Sequence, residues 1–476
     1  LTTSGVLSAS FVVPYLEEYG TTDVRVTVGT VGKETEYITQ DEIIAMINGL
    51  DILGITDVET FDGSIDLTSF FDETNRNALL ESAIMQATIS KQLVDLGDAS
   101  LTIPTKDINN DDIRVTVGLL TESTEYVTKA EISAMFEALE VLQMTDISSF
   151  SGTIDLNNVY GTANQDIILS SAAMHATISK QMKDLGPSVL VIPATDVDNT
   201  SVQTTVSGVE FINKPEIKAM IDVLELMQID DITTFGGTFD ISLLATDASQ
   251  NLLLSSASIH ATITKTMLDL GDAVIKVPMY TQAGETAGNE VRLTVSGTEF
   301  VAKDEIKALI NSFTTMGYTD LNSFGASLDS SQFFSGRDVL LLSSSIQATL
   351  SDKMINGTSG ELVVPDVNVN TTDPVRITQT DVTYIDKTEI EAILDALEEL
   401  GLTDFAALSF DAANIFTVDF NILFASASIQ ATVSENILQN AEDETVTAGT
   451  VTLIVPTYFR EDILIDSVSG KQIELT

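Results

Sequence analysis

The sequence predicts an α+β fold made of five tandem modules of about 88 residues, each ordered β-β-α-β-α-β, in a linear array with a partial module at either end. Three observations predict it: prolines at near-equal spacing that each close a short β-type run, a hairpin pattern after each, and two helix patterns in fixed order between them.

The prolines set the register. Pro14, Pro104, Pro193, Pro278, Pro365 and Pro456 end runs such as Phe11-Val12-Val13 and Val191-Ile192, at spacings of 90, 89, 85, 87 and 91 residues. After the first five comes a β-branched alternation, as in Val24 to Val28, Ile113 to Val117 and Val202 to Val206. That period of two marks a half-buried strand. Ser207-Gly208 and Ser296-Gly297 then supply a tight turn into a second strand, Glu210-Phe211-Ile212 or Glu299-Phe300-Val301.

The first helix opens on a capping pattern. Thr39, Thr128, Asn213 and Asp386 stand at the N-cap, with Glu42, Glu131, Glu216 and Glu389 three residues on. In a capping box the two side chains satisfy each other's helix-start N–H groups. The fourth copy has Ala302 at the cap and keeps Glu305. Ile132, Met135, Phe136, Leu139 and Leu142 form the stripe of a one-sided helix. A Phe-x-Gly segment follows (Phe61-Asp62-Gly63, Phe150-Ser151-Gly152), and Ile65-Asp66-Leu67 or Ile154-Asp155-Leu156 predicts a third strand. The second helix, Ser82 to Ser90 in the first copy, is uncharged and rich in Ala, Ser and Thr, which predicts close, buried packing. A fourth strand ending at the proline closes the module.

The modules run over 21–109, 110–199, 200–287, 288–372 and 373–460. Residues 1–20 read as the last strand of a preceding module. Residues 461–476 read as the opening hairpin of a following one, or as a strand donated to a neighbour.

The chain has 476 residues, with 71 Asp+Glu against 22 Lys+Arg, a formal charge of −49, no Cys and no Trp. Mean hydropathy is +0.21, which is too apolar for a disordered chain. A field of that sign repels nucleic acid, which is not expected as a partner. Without Cys, disulfides and thiolate metal sites are excluded. The longest apolar run, Val339 to Leu350, is too short to span a bilayer and carries three serines.

Site chemistry is sparse, and no catalytic residue is expected. The two histidines, His175 and His260, occupy one module position that holds Gln86, Gln347 and Gln430 elsewhere. An amide cannot replace an imidazole as base or ligand, so a structural hydrogen bond is the favoured reading. The glutamates at the helix starts read as caps, as do Asp57 with Asp66 and Asp146 with Asp155 against a carboxylate couple. The inter-module linkers offer oxygen ligands of the kind Ca²⁺ prefers. The candidates are Asp107, Asn109, Asp111 and Asp112, then Asp196 and Asp198, then Asp366 and Asn368. Plain solvated loops are the favoured alternative there. No Walker loop, dinucleotide fingerprint or nucleophile elbow occurs.

These observations predict a structural protein and not an enzyme: a filament, sheath, stalk or adhesin shaft of the cell surface or extracellular space. Its partners would be neighbouring modules or copies of itself. The rival is a multivalent binder with a weak ligand or Ca²⁺ site per module, its avidity summed along the array.

Overall fold

The protein was analysed as a computed structural model, which describes residues 11–16, 22–30, 32–119, 122–282, 289–321, 324–325, 328, 330–356, 362–403, 417–442, 451–452 and 474–475. The chain forms two compact units. The first comprises Leu1–Phe239, Thr246–Ile263 and Thr294–Thr298; the second comprises Asp240–Ala245, Thr264–Leu293 and Glu299–Thr476.

Helices and small antiparallel two-stranded sheets alternate in linear order, as α+β repeats require. The first pass runs β1 (Arg25–Val28), β2 (Thr35–Ile38), α1 (Gln40–Ile52), two 3-10 turns (Val58–Thr60, Leu67–Phe70), α2 (Glu73–Leu79) and α3 (Ala83–Asp95). The second has β3 (Arg114–Leu119), β4 (Glu122–Val127), α4 (Lys129–Val141), turns at Ile147–Ser149 and Leu156–Asn158, α5 (Thr162–Ile168) and α6 (Ala172–Asp184). The third has β5 (Gln203–Val206), β6 (Val209–Ile212), α7 (Lys214–Leu226), turns at Ile232–Thr234 and Ile241–Leu244, α8 (Asp247–Leu253) and α9 (Ala257–Asp269). Then come β7 (Arg292–Val295), β8 (Thr298–Val301), α10 (Lys303–Thr315), α11 (Ser330–Leu340) and α12 (Ser344–Asn356). The last pass has β9 (Arg376–Gln379), β10 (Val382–Ile385), α13 (Lys387–Glu399), α14 (Phe420–Leu423) and α15 (Ala427–Glu442).

In each hairpin a single residue separates the second strand from the helix that follows, and the turn is tight in the third and fifth, whereas in the first Val28 pairs with Thr35 across six residues. Val206 pairs with Val209 across Ser207 and Gly208, whose φ angles are 47° and 84°. Two successive positive φ values match the right-handed strand twist, and glycine takes the second at no steric cost.

Among the described residues the third expected strand is not formed in the first three passes, nor the fourth in the first four, so the order β-β-α-β-α-β is corrected there to hairpin, helix, short helix, helix. Asp66 makes a single bridge to Asp146 and then caps a 3-10 turn, its Oδ1 accepting from Thr68 N at 3.0 Å. An aspartate whose carboxylate binds the backbone two residues on favours a turn over a ladder. Among the described residues the runs ending at Pro104, Pro193, Pro278 and Pro365 also build no ladder. Thr102 N donates to a side chain, Thr177 Oγ1, at 2.9 Å, and Pro104 has no N–H to give. The helices α2, α5, α8, α11 and α14 are additions to the expected order. The start of α2 is fixed by Asp72, whose Oδ1 accepts from Thr74 N and Asn75 N.

The core of each pass lies between its two long helices. Leu67, Phe70, Ile84, Met85 and Ile89 are fully buried, and so are Phe136, Leu156 and Ile178. The Phe-x-Gly segments close it: Phe61, Phe150, Phe235 and Phe324 are all buried. At Gly152 a Cβ would lie 2.9 Å from Ser100 Cα, so that close backbone approach admits only glycine. The hairpin expected over 461–476 lies mostly outside the described residues. Within them, Glu474–Leu475 pairs antiparallel with Val451–Thr452.

Candidate functional site

The strongest recurrent chemistry sits where one pass meets the next, and it begins inside each pass with a buried glutamate. The N3 glutamates turn away from their own helix starts. Glu131 Oε1 accepts from Ser171 Oγ at 2.7 Å and Ala173 N at 2.8 Å, and Oε2 from Ala172 N at 3.1 Å. The same three-bond set joins Glu42 to Ser82, Ala83 and Ile84, and Glu216 to Ser256, Ala257 and Ser258. In the second unit it joins Glu305 to Ser343, Ser344 and Ser345, and Glu389 to Ser426, Ala427 and Ser428.

Each carboxylate therefore caps a helix about forty residues downstream, where orphan N–H groups and the positive end of the dipole favour it. This replaces the reciprocal capping box. Thr128 accepts from Glu131 N at 3.3 Å and Asp386 from Thr388 N at 3.0 Å, while Thr39 and Asn213 make no side-chain cap. Burial pushes the Glu131 and Glu305 carboxyls above the ordinary range, against the pull of their hydrogen bonds.

The capped helix then grips the following hairpin. Gln86 Nε2 donates to Val127 O at 2.9 Å, and Val127 N donates to Ser90 Oγ at 2.8 Å. In the next pass His175 Nε2 lies 2.6 Å from Ile212 O, and Ile212 N donates to Ser179 Oγ at 3.0 Å. The imidazole thus stands where the amide stood, with its Nε2–H as donor. Burial among apolar groups pushes the His175 pKa below its usual value; the bond to Ile212 O opposes that, and Lys214 adds to it. Gln347 departs, turning its amide to Leu341 O; the Ile385 carbonyl is served instead by Gln282 Nε2 at 3.1 Å.

A threonine on the same helix holds the proline-terminated run of the preceding pass. Val12 N, Thr102 N and Val191 N donate to Thr88, Thr177 and Thr262 Oγ1 at 3.0, 2.9 and 2.8 Å. Lys276 N and Val363 N do the same to Thr349 and Thr432 at 2.8 and 2.9 Å. A third stitch runs from Leu67 N to Thr145 O, Leu156 N to Asp230 O, Ile241 N to Thr319 O and Ser330 N to Thr403 O. Arg76 adds a charged one: it is buried, donates to Phe70 O and Phe71 O, and pairs with Glu137 at 2.6 Å. Arg337 pairs likewise with Asp395. Together these bonds satisfy backbone groups that no sheet ladder reaches.

The linker candidates are arranged differently. Asp107 Oδ1 accepts from Asn109 N at 2.8 Å and Asp111 N at 2.9 Å, and Asp112 pairs with Lys106 at 2.9 Å. Asp196 Oδ1 accepts from Asp198 N at 2.9 Å and Thr200 N at 2.8 Å. Asp366 pairs with Arg376, and Asn368 Oδ1 accepts from Asn370 N at 2.9 Å. These oxygens build their own loops. Asn109 and Asp196 do meet on one open groove of about 530 Å³ in the first unit, beside Lys214 at the start of α7. Among the described residues, no three His, Asp or Glu side chains gather as a cation site would need. Asp57, Asp66, Asp146 and Asp155 each cap a 3-10 turn.

No family model matches the chain, and no curated protein or solved structure shows significant similarity to it. Among the described residues no helix is long and apolar enough to cross a membrane.

Proposed function

We propose that this chain is a structural tandem-repeat protein of the cell surface or extracellular space, five modules long, serving as a filament, sheath, stalk or adhesin shaft. The observation that supports this reading is the recurrence of one joint. The threonine that grips the preceding run occurs five times with the same partners, from Thr88 to Thr432. The recurrent threonines, and the serines and Gln86 or His175 beside them, are consumed in holding one module to the next, as a quasi-linear array demands. A binder or enzyme would instead recur in groups aimed at solvent or a cleft. The acidic surface keeps such an array soluble and suits a medium whose ions screen it.

Low-dose electron microscopy of the native material, with and without chelator, tests the reading. Fibres or rods with an axial repeat tied to module length are expected. Separate compact particles that capture a glycan or another ligand would overturn it in favour of the multivalent binder. Fraying in chelator would assign Ca²⁺ to the linkers.

A further inference from the structure

Two joints in the first unit are built alike except for one side chain. At the first, Gln86 of α3 donates to Val127 O while Ser90 Oγ accepts from Val127 N. At the second, His175 of α6 stands in for the glutamine, 2.6 Å from Ile212 O, while Ser179 Oγ accepts from Ile212 N. An amide has no proton to gain at ordinary pH, whereas an imidazole does. Like joints therefore meet acid with unlike chemistry.

The second joint is a poor place for a charge. His175 is 1% exposed, and its ring lies against Phe211 with centroids 5.1 Å apart. Phe211 and Ile212 are themselves fully buried. The neutral ring already donates from Nε2 to Ile212 O, so a second proton adds charge without adding a bond to the hairpin.

The charged groups on the surrounding elements are engaged elsewhere or carry the wrong sign. On α4, Glu131 is spent on Ser171 Oγ and on the N–H groups of Ala172 and Ala173. On α6 itself Lys180 pairs with Asp184, and Lys183 pairs with Glu210 of β6. Asp231 caps the 3-10 turn Ile232–Thr234 that packs on α6. Lys214, which opens α7 just past β6, acts on the ring and disfavours another positive charge. Burial is the larger effect, and together they hold the ring's pKa below its ordinary value against the pull of Ile212 O.

We propose that the joint between the second and third passes is a proton-sensitive hinge, at which uptake of a proton by His175 frees the β5–β6 hairpin from α6 while the Gln86 joint stays closed. The inference goes beyond the structural-array reading and stands on the joint alone, whether or not the chain forms fibres. Its sign follows from linkage. An open joint binds the proton more readily than a closed one, so closure is favoured above the ordinary histidine pKa and is lost as pH falls through the folded value. Glu131 acts in the opposite sense, since burial raises its pKa, and so cannot produce a loss at Ile212 in acid.

Hydrogen exchange of the full chain at about pH 7 and about pH 5, corrected for the intrinsic effect of pH on exchange, tests the hinge. The amides to compare are Ile212 and Val127, each held by the equivalent serine. Ile212 is expected to lose protection relative to Val127 at the lower pH. In His175→Gln, which installs the side chain of the first joint, the ratio of the two should stay the same at both. A wild-type ratio that does not change overturns the inference, and general loosening in acid would give that result by lowering both amides together. So does a His175→Gln chain whose Ile212 still loses protection. Circular dichroism shows whether the variant is folded; if it is not, the wild-type ratio decides alone, because Val127 is a control within the same molecule. Fibres or single particles under the microscope leave this outcome untouched, so its failure and that of the array reading stay distinct.

Discussion

Two sets of acidic residues recur along this chain, and they do opposite things with the same functional group. The helix-start glutamates, of which Glu131 is typical, are buried and reach about forty residues downstream to cap another helix. The linker aspartates, of which Asp107 is typical, are solvent-facing, and their carboxylates bind backbone within four residues. One set ties distant parts of the chain together; the other shapes a loop. The difference teaches that recurrence alone does not rank residues. The sequence separation of the partner and its burial do.

The largest test removes a long-range carboxylate. Glu131→Ala leaves the N–H groups of Ala172 and Ala173 buried without an acceptor, and should cost about 3 kcal/mol at that site. Hydrogen exchange at those two amides, with α4 amides as reference, reads the loss locally. Protection unchanged would break the contrast. Next is the joint between passes. Thr177→Val removes the acceptor for Thr102 N and should weaken protection of that amide by about 1–2 kcal/mol, leaving the α6 start protected.

A pH experiment sharpens the same contrast through His175. Its pKa is depressed in the fold below the ordinary 6.5, so the unfolded chain binds its proton first as pH falls. Its contribution is present above 6.5 and is lost as pH drops through the folded value. His175→Gln, which keeps a donor as Gln86 does, should be near neutral at about pH 7 and more stable than wild type at about pH 5. Glu131 works with the opposite sign: burial raises its pKa, so its contribution is full below 4.5 and is lost as pH rises through the folded value. Melting curves of the two proteins that run parallel across that range would remove the histidine from the account. The smallest effect belongs to the linker. Asp107→Ala should cost about 0.5–1 kcal/mol, the size of a local cap, and its melting point should be equal with and without calcium. A calcium-dependent shift in wild type that the variant loses would return the metal reading.

Much of the architecture is legible in the sequence where the cause is local. Ser207-Gly208 announces its turn, because few residue pairs accept two positive φ angles. The burial of α3 is legible in its lack of charge, and the kinship of Gln86 with His175 in their shared ability to donate. What escaped depends on distance. Nothing within ten residues of Glu42 says that its carboxylate serves Ser82, because a capping box and a remote cap demand the same residue at N3. Ile65-Asp66-Leu67 carries a strand's alternation, and only Asp66 capping Thr68 N turns it into a 3-10 turn. The start of α2 was written in Asp72 and Glu73, a capping signal masked by the polar loop around it.

The threonine grip carries a consequence for heredity. Because Thr88 and Thr432 hold their partners in the same way, an unequal crossover that deletes or duplicates one whole spacing rebuilds a working junction at the scar. No new surface has to be invented and none is left orphaned. Such a gene can lengthen or shorten its product by one whole spacing in a single recombination event.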